Sequence, residues 1–173
     1  MRLPVLFAML LASAFPLRAE TWDEIVSAAR GQTVYWNAWG GDERTNDFIR
    51  WASERLEADY GVTIQQVKLT DTAEAVTRVI AEKAAGQDEG GSVDMIWING
   101  ANFLSMKEQG LLHGPFVEIL PNAKYLDLSP GSVATVDFTV PVEGYESPWR
   151  LAKYVLIYDN ARVDQPPMSM AEL

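Results

Sequence analysis

The chain has 173 residues, a net charge of −10, one histidine and no cysteine. That acidity makes nucleic acid and anionic membrane surfaces poor partners, and the missing cysteine excludes a disulfide scaffold, a cysteine nucleophile and a lipid anchor of the bacterial lipoprotein kind.

Residues 1–19 have the layout of a secretory signal peptide. Arg2 supplies a short basic start, Leu3 to Phe15 is apolar but too short to span a bilayer, and Leu17-Arg18-Ala19 offers a cleavage point after Ala19, with a second after Ala14. Pro4 and Pro16 bracket the apolar run and argue against a first helix of the domain. Loss of Arg2 and Arg18 would take the charge to −12. The chain is therefore expected in a bacterial periplasm, free of a membrane anchor.

From residue 20 the pattern alternates. Thr21-Trp22-Asp23-Glu24 forms a capping box, opening a helix that buries Ile25, Ala28 and Ala29 and stops at Gly31. Val34 to Trp39 is a strand. Glu43 to Tyr60 has helical spacing, with Phe48, Ile49, Ala52 and Leu56 on its apolar face and Gly61 as terminator. Val62 to Leu69 is a second strand. Asp71-Thr72-Ala73-Glu74 starts a helix with a stripe of Val76, Val79, Ile80 and Ala84. After a polar loop over Gly86 to Ser92, Val93 to Ile98 is a third strand, Asn99 to Asn102 a turn, and Phe103 to Gln109 a short helix ended by Gly110. Strands this apolar call for an α/β fold: an open, mostly parallel sheet with helices on both faces.

Beyond residue 113 prolines punctuate irregular chain, with strand-like stretches at Val133 to Val140 and Tyr154 to Tyr158. Pro166-Pro167 leads into a further capping box, Ser169 to Glu172, with one residue left after it. The organisation expected is a signal peptide over 1–19, a first α/β lobe over 20–140, and a hinge or crossover segment over 141–173 that begins a truncated second lobe.

Enzyme motifs are thin. His113 follows a helix in Leu-Leu-His-Gly-Pro, without a GxSxG elbow, and suits a solvated loop. Trp39-Gly40-Gly41-Asp42 lacks the spacing of a dinucleotide or P-loop motif and sets a carboxylate where phosphate would sit. No histidine-containing ligand pair supports a metal, and no cofactor is expected.

Chemistry concentrates at strand ends, where open parallel sheets bind ligands. Trp39, Gly40, Gly41 and Asp42 follow the first strand; Asn99, Gly100, Ala101, Asn102 and Phe103 follow the third. Glycine allows close backbone approach, helix-start amides are free donors, and an indole is a flat wall. Asp42 and Asn102 are equally suited to capping the helices behind them. Trp36 and Trp97 suit the core, and Trp51 packing on its helix. A third cluster, Tyr145, Glu146 and Trp149 with Glu143, lies on the segment leaving the lobe and could form an opposing wall.

Several segments together resemble bacterial periplasmic solute-binding proteins of ABC importers, in extracellular solute-binding family 1 and its YnjB-type subgroup. They are WNAWGGDERTNDFIRW, DTAEAVTRVIAEKAAG, GSVDMIWINGANF, GLLHGPF, GYESPWRLAKYVLIYDNARV and PPMSMAEL. The resemblance implies the truncated first lobe of a two-lobed, type II binding-protein fold that closes on a solute and presents it to a membrane permease with a cytoplasmic ATPase. It implies a non-catalytic monomer whose first jaw is Trp39 to Asp42 with Asn99 to Phe103, and in which Tyr145 to Trp149 approaches the crossover. A polar or cationic organic solute is favoured, because neither strand-end loop carries arginine or lysine while Asp42, Glu143 and Glu146 offer carboxylates beside aromatic faces. The helix-start amides would suit an anion instead. The rival expectation is an exported hydrolase using Glu143 or Glu146; a third is a secreted interaction domain.

Overall fold

The computed structural model describes residues 21–151 and 155–172. The expected signal peptide lies outside the described residues. Helix α1 (Trp22–Ala29) opens with the complete capping box: Thr21 Oγ1 accepts from Glu24 N at 3.3 Å and Glu24 Oε2 accepts from Thr21 N at 2.8 Å. Its expected apolar face is only half covered, and Ala28 is exposed.

Strand β1 (Thr33–Trp39) pairs in parallel with β2 (Thr63–Leu69) along its whole length and with β3 (Met95–Ile96) on the other side, giving the order β2-β1-β3. Helix α2 (Glu43–Tyr60) crosses from β1 to β2; α3 (Ala73–Ala84) crosses from β2 past β1 to β3. Right-handed crossovers in opposite directions place these helices on opposite faces. The side chains of β1 bear this out. Trp36 and Ala38 pack with Ile49 of α2, whereas Asn37 between them meets Arg78 of α3; all three strand residues are buried. The expected α/β arrangement, a parallel sheet covered on both faces, is therefore what the chain forms.

Both ends of α2 are set by local chemistry. Asp42 is the N-cap, and Gly61 closes the helix at φ 69°, the left-handed conformation that glycine adopts without strain. The buried face differs from expectation. Thr45, Asn46 and Ile49 are buried, while Phe48 is 45% exposed and Ala52 and Leu56 only half-buried. The polar pair can be buried because partners await it: Asn46 Nδ2 donates to Gly40 O at 3.1 Å and its Oδ1 accepts from Gln66 Nε2 at 2.9 Å. On α3, Ala75 and Val76 are buried, but Ala84, the last residue of the helix, is exposed.

Three other elements depart from expectation. Strand β3 is shorter than Val93 to Ile98, although Asp94 N donates to Tyr35 O at 3.3 Å and Trp97 N to Asn37 O at 2.9 Å, so hydrogen bonding to β1 reaches one residue past each end. Helix α4 (Gly100–Glu108) starts three residues before Phe103, with Asn99 as its N-cap. The stretch 133–140 is not one strand. It folds into a hairpin, β4 (Val136–Asp137) and β5 (Val140–Pro141), around Phe138 and Thr139 at φ 43° and 77°. Positive φ at both central residues is the twist a two-residue hairpin requires.

Of the expected strand Tyr154 to Tyr158, the described residues 155–158 are exposed and irregular, without a neighbour to complete a ladder. Ser169 to Glu172 forms a turn rather than a helix, the Glu172 carboxylate accepting Met168 N at 2.7 Å. Among the described residues no helix is long and apolar enough to cross a membrane.

Candidate functional site

In the order β2-β1-β3 the chain leaves β1 toward one neighbour and returns on the other side. The C-terminal ends of β1 and β3 are thus a topological switch point, where connections diverge and leave a crevice. The two predicted loops sit there. Thr72, at the start of α3, ties them to the helix behind: its hydroxyl donates to Trp97 O at 3.3 Å.

In the first loop Trp39 is 42% exposed, and its indole folds back over Gly41. A β-carbon on Gly41 would stand 2.3 Å from the ring, and one on Gly40 would meet Lys68 Cβ at 2.8 Å. An added β-carbon is thus opposed at Gly41 by the loop's own Trp39 and at Gly40 by Lys68 of the neighbouring strand β2. Asp42 turns both oxygens to its own helix: Oδ1 accepts from Arg44 N at 3.2 Å and Oδ2 from Thr45 Oγ1 at 2.6 Å. The Thr45 hydrogen bond holds the carboxyl below its ordinary range; burial opposes it, and the Arg44 amide and the Arg150 charge add to the lowering. Capping is what Asp42 does here.

The second loop divides. Phe103 is fully buried and belongs to the core, which corrects its expected place on a ligand wall. Asn102 lies inside the first turn of α4 and is not its cap; Ala101 is exposed. The Gly100 amide, at the actual start of α4, donates to the Asp137 carboxylate from the hairpin. The Phe138 ring, 75% exposed, packs beside Gly100.

The third cluster also divides. Tyr145 packs on Gly114, where an added β-carbon would lie 2.8 Å from the ring. Glu143 pairs with Lys107 at 3.0 Å. Glu146 is half-buried, its Oε2 shielded and without a hydrogen-bond partner among the described residues. Burial, and then the charge of Asp137, push its pKa up to about 7.

Trp149 returns to the sheet itself. Its ring lies 5.1 Å from Trp36 and 4.9 Å from Trp97, both edge-to-face, and stacks with Phe48 at 5.9 Å. Trp97 then meets Trp39 at 6.4 Å, and Phe48 meets Trp51 at 5.6 Å. The rings form a continuous aromatic path from the crevice onto the outer face of α2. Trp51, expected to pack, is 56% exposed at its far end. Trp36 is core as expected, and Trp97 is half-buried.

Arg150 escaped the sequence reading. Its Nη1 donates to Thr45 Oγ1 at 2.9 Å, and its guanidinium carbon lies 5.6 Å and 5.8 Å from the Trp97 and Trp149 ring centres. Thr45 so links a cation to the Asp42 cap. The one available signal was adjacency to Trp149, since a separation of 105 positions along the chain hides the contact between Arg150 and Thr45. A groove of about 250 Å³ between α2 and β2, lined by Asn46, Ser53, Gln66 and Lys68 among others, lies outside all three predicted clusters. Among the described residues no group of histidine, aspartate and glutamate could hold a metal ion.

The chain is 42% identical over 161 residues to Protein YnjB of Escherichia coli (strain K12), an alignment covering 92% of this chain and 41% of that protein. The two are homologous over this span, and the chain spans less than half the length of that relative. No family model and no solved structure matches.

Proposed function

We propose that the chain is the first-lobe portion of a periplasmic substrate-binding component of an ABC transporter. In this reading it captures a small solute in a cleft between two lobes and delivers it to a membrane permease and its cytoplasmic ATPase. Residues 20–140 form one jaw, and 141–173 lead toward a second. It works as a monomer, without catalysis or cofactor.

The observation that carries the reading is convergence. The loop after β1, the residues after β3 and the segment around Trp149 meet at one switch point, where a parallel sheet leaves a crevice. The signal-like residues 1–19 support export, and the greater length of the E. coli relative leaves room for an opposing lobe. Closure would follow from ligand contacts to both lobes. The test is mass spectrometry of small molecules released from the complete protein, followed by calorimetry with those found. A stoichiometric solute, weakened by Trp39→Ala, is expected; a complete protein that carries and binds none ends this reading.

One observation favours the rival, an exported hydrolase. Glu146, with its pKa near 7 and Asp137 beside it, has the form of a general acid pair. Turnover of a chromogenic ester or glycoside, abolished by Glu146→Gln, would select it.

A further inference from the structure

Hydrogen-bond accounting at the aromatic cluster leaves a surplus of donors. Trp36 Nε1 and Trp149 Nε1 are both shielded from solvent and without a partner among the described residues. Arginine carries five N–H donors and no acceptor. Arg150 is shown donating to the Thr45 hydroxyl, and among the described residues no carboxylate forms an ion pair with it.

Two of the three acceptors that the sequence seemed to offer a cation already hold partners within the chain, and the third, Glu146, is half-buried with Oε2 unpartnered among the described residues. Both oxygens of Asp42 are taken by Arg44 N and Thr45 Oγ1, and Glu143 is paired with Lys107. Around the point where the indole faces meet, the chain presents the Arg150 guanidinium and the indole N–H groups, with the Asp42 carboxylate set behind Thr45. Arg150 is exposed, so its remaining N–H groups are open to an acceptor from solution, and the two shielded indole N–H groups beside it are of the kind that native proteins nearly always satisfy.

Resting on the receptor reading above, we propose that Arg150 is an anion hook and that the solute is an organic anion. Its carboxylate, phosphate or sulfonate lies on the guanidinium, and its flat or apolar body lies along Trp39, Trp97 and Trp149. This reverses the preference for a cation drawn from the loops alone. The loops do lack arginine and lysine, but the fold carries a guanidinium to them from the third segment. A planar guanidinium offers two parallel N–H groups to such an anion, and the indole faces hold that plane in place.

The test begins with the charge of whatever solute is released from the complete protein. Calorimetry then compares benzoate and phenyl phosphate with benzyltrimethylammonium, on wild type, Arg150→Gln, Arg150→Lys and the distant control Arg30→Gln. An anionic solute is expected, with anionic probes preferred to the ammonium. Arg150→Gln should weaken anion binding about ten- to hundredfold, the range of one charge-assisted hydrogen bond. Arg150→Lys should retain part of it, and Arg30→Gln all of it, which excludes a mere effect of net charge. Circular dichroism establishes that each variant is folded.

A neutral or cationic solute, or anion binding unchanged in folded Arg150→Gln, overturns the proposal while leaving the receptor reading intact. A complete protein with no solute and no probe binding overturns both.

Discussion

Replacing Glu146 with glutamine should remove a fall in stability expected of the wild type between about pH 4.5 and 7. In the folded chain burial of the carboxyl, whose Oε2 has no hydrogen-bond partner among the described residues, and then the negative charge of Asp137 raise its pKa from 4.5 to about 7. In the unfolded chain it titrates normally. Between those values the folded state binds the proton and the unfolded state does not, so stability is full below about pH 4.5 and falls as pH rises through about 7. At 1.36 kcal/mol per pH unit the ceiling is about 3 kcal/mol; solvent screening of a half-exposed side chain brings the expected fall to about 1–2 kcal/mol. Urea denaturation from pH 4.5 to 8.5, followed by circular dichroism, measures it as the wild-type curve minus that of Glu146→Gln. Asp137→Asn should reduce the fall without abolishing it, since burial is the larger cause. A difference curve flat across that range, or one rising with pH, would refute the assignment of an unsolvated carboxyl.

Other consequences are simpler to read. Ile49→Ala, at a side chain 1% exposed between α2 and the sheet, should cost about 2–5 kcal/mol in denaturation. Asn37→Ala strips the buried partner from Arg78 and should cost about 1–3 kcal/mol, more than its small loss of volume suggests. Gly41→Ala would place a β-carbon 2.3 Å from the Trp39 ring and drive the indole away from Trp97. Its signature is a red-shifted tryptophan emission and a loss of about 0.5–1.5 kcal/mol; unchanged emission would count against the packing described.

What could be read in advance follows from the range of the forces involved. Both ends of α2 were legible because a cap needs only its own first turn, as with Asp42 and Thr45, and a left-handed terminator needs only Gly61. The parallel sheet was legible because β1 is buried on both faces and so lacks an alternating pattern. The edges of the buried stripe on α2 were not. Helical spacing marks Ile49 but cannot tell that Gln66 and Gly40 will satisfy Asn46, or that Phe48 will be left beside Trp149. Helix α4 was mistaken at its start for a similar reason: the carboxylate that binds the Gly100 amide comes from Asp137, 37 residues away.

The same distinction decides what can be said of the solute. Local reading assigned each charge to the loop it belongs to, and on that count the crevice was acidic. Folding redistributes the count. Asp42 is consumed by its own helix, Glu143 by Lys107, and Glu146 sits where burial favours its proton, while Arg150 arrives on the indoles from a part of the chain that local reading set on the opposite wall. A net charge of −10 therefore coexists with an aromatic cluster whose shielded, unpartnered groups among the described residues are the indole N–H donors of Trp36 and Trp149, Glu146 Oε2 being the one such acceptor. Overall acidity governs how the chain meets large anionic surfaces, whereas the few groups left without partners govern what small molecule it holds.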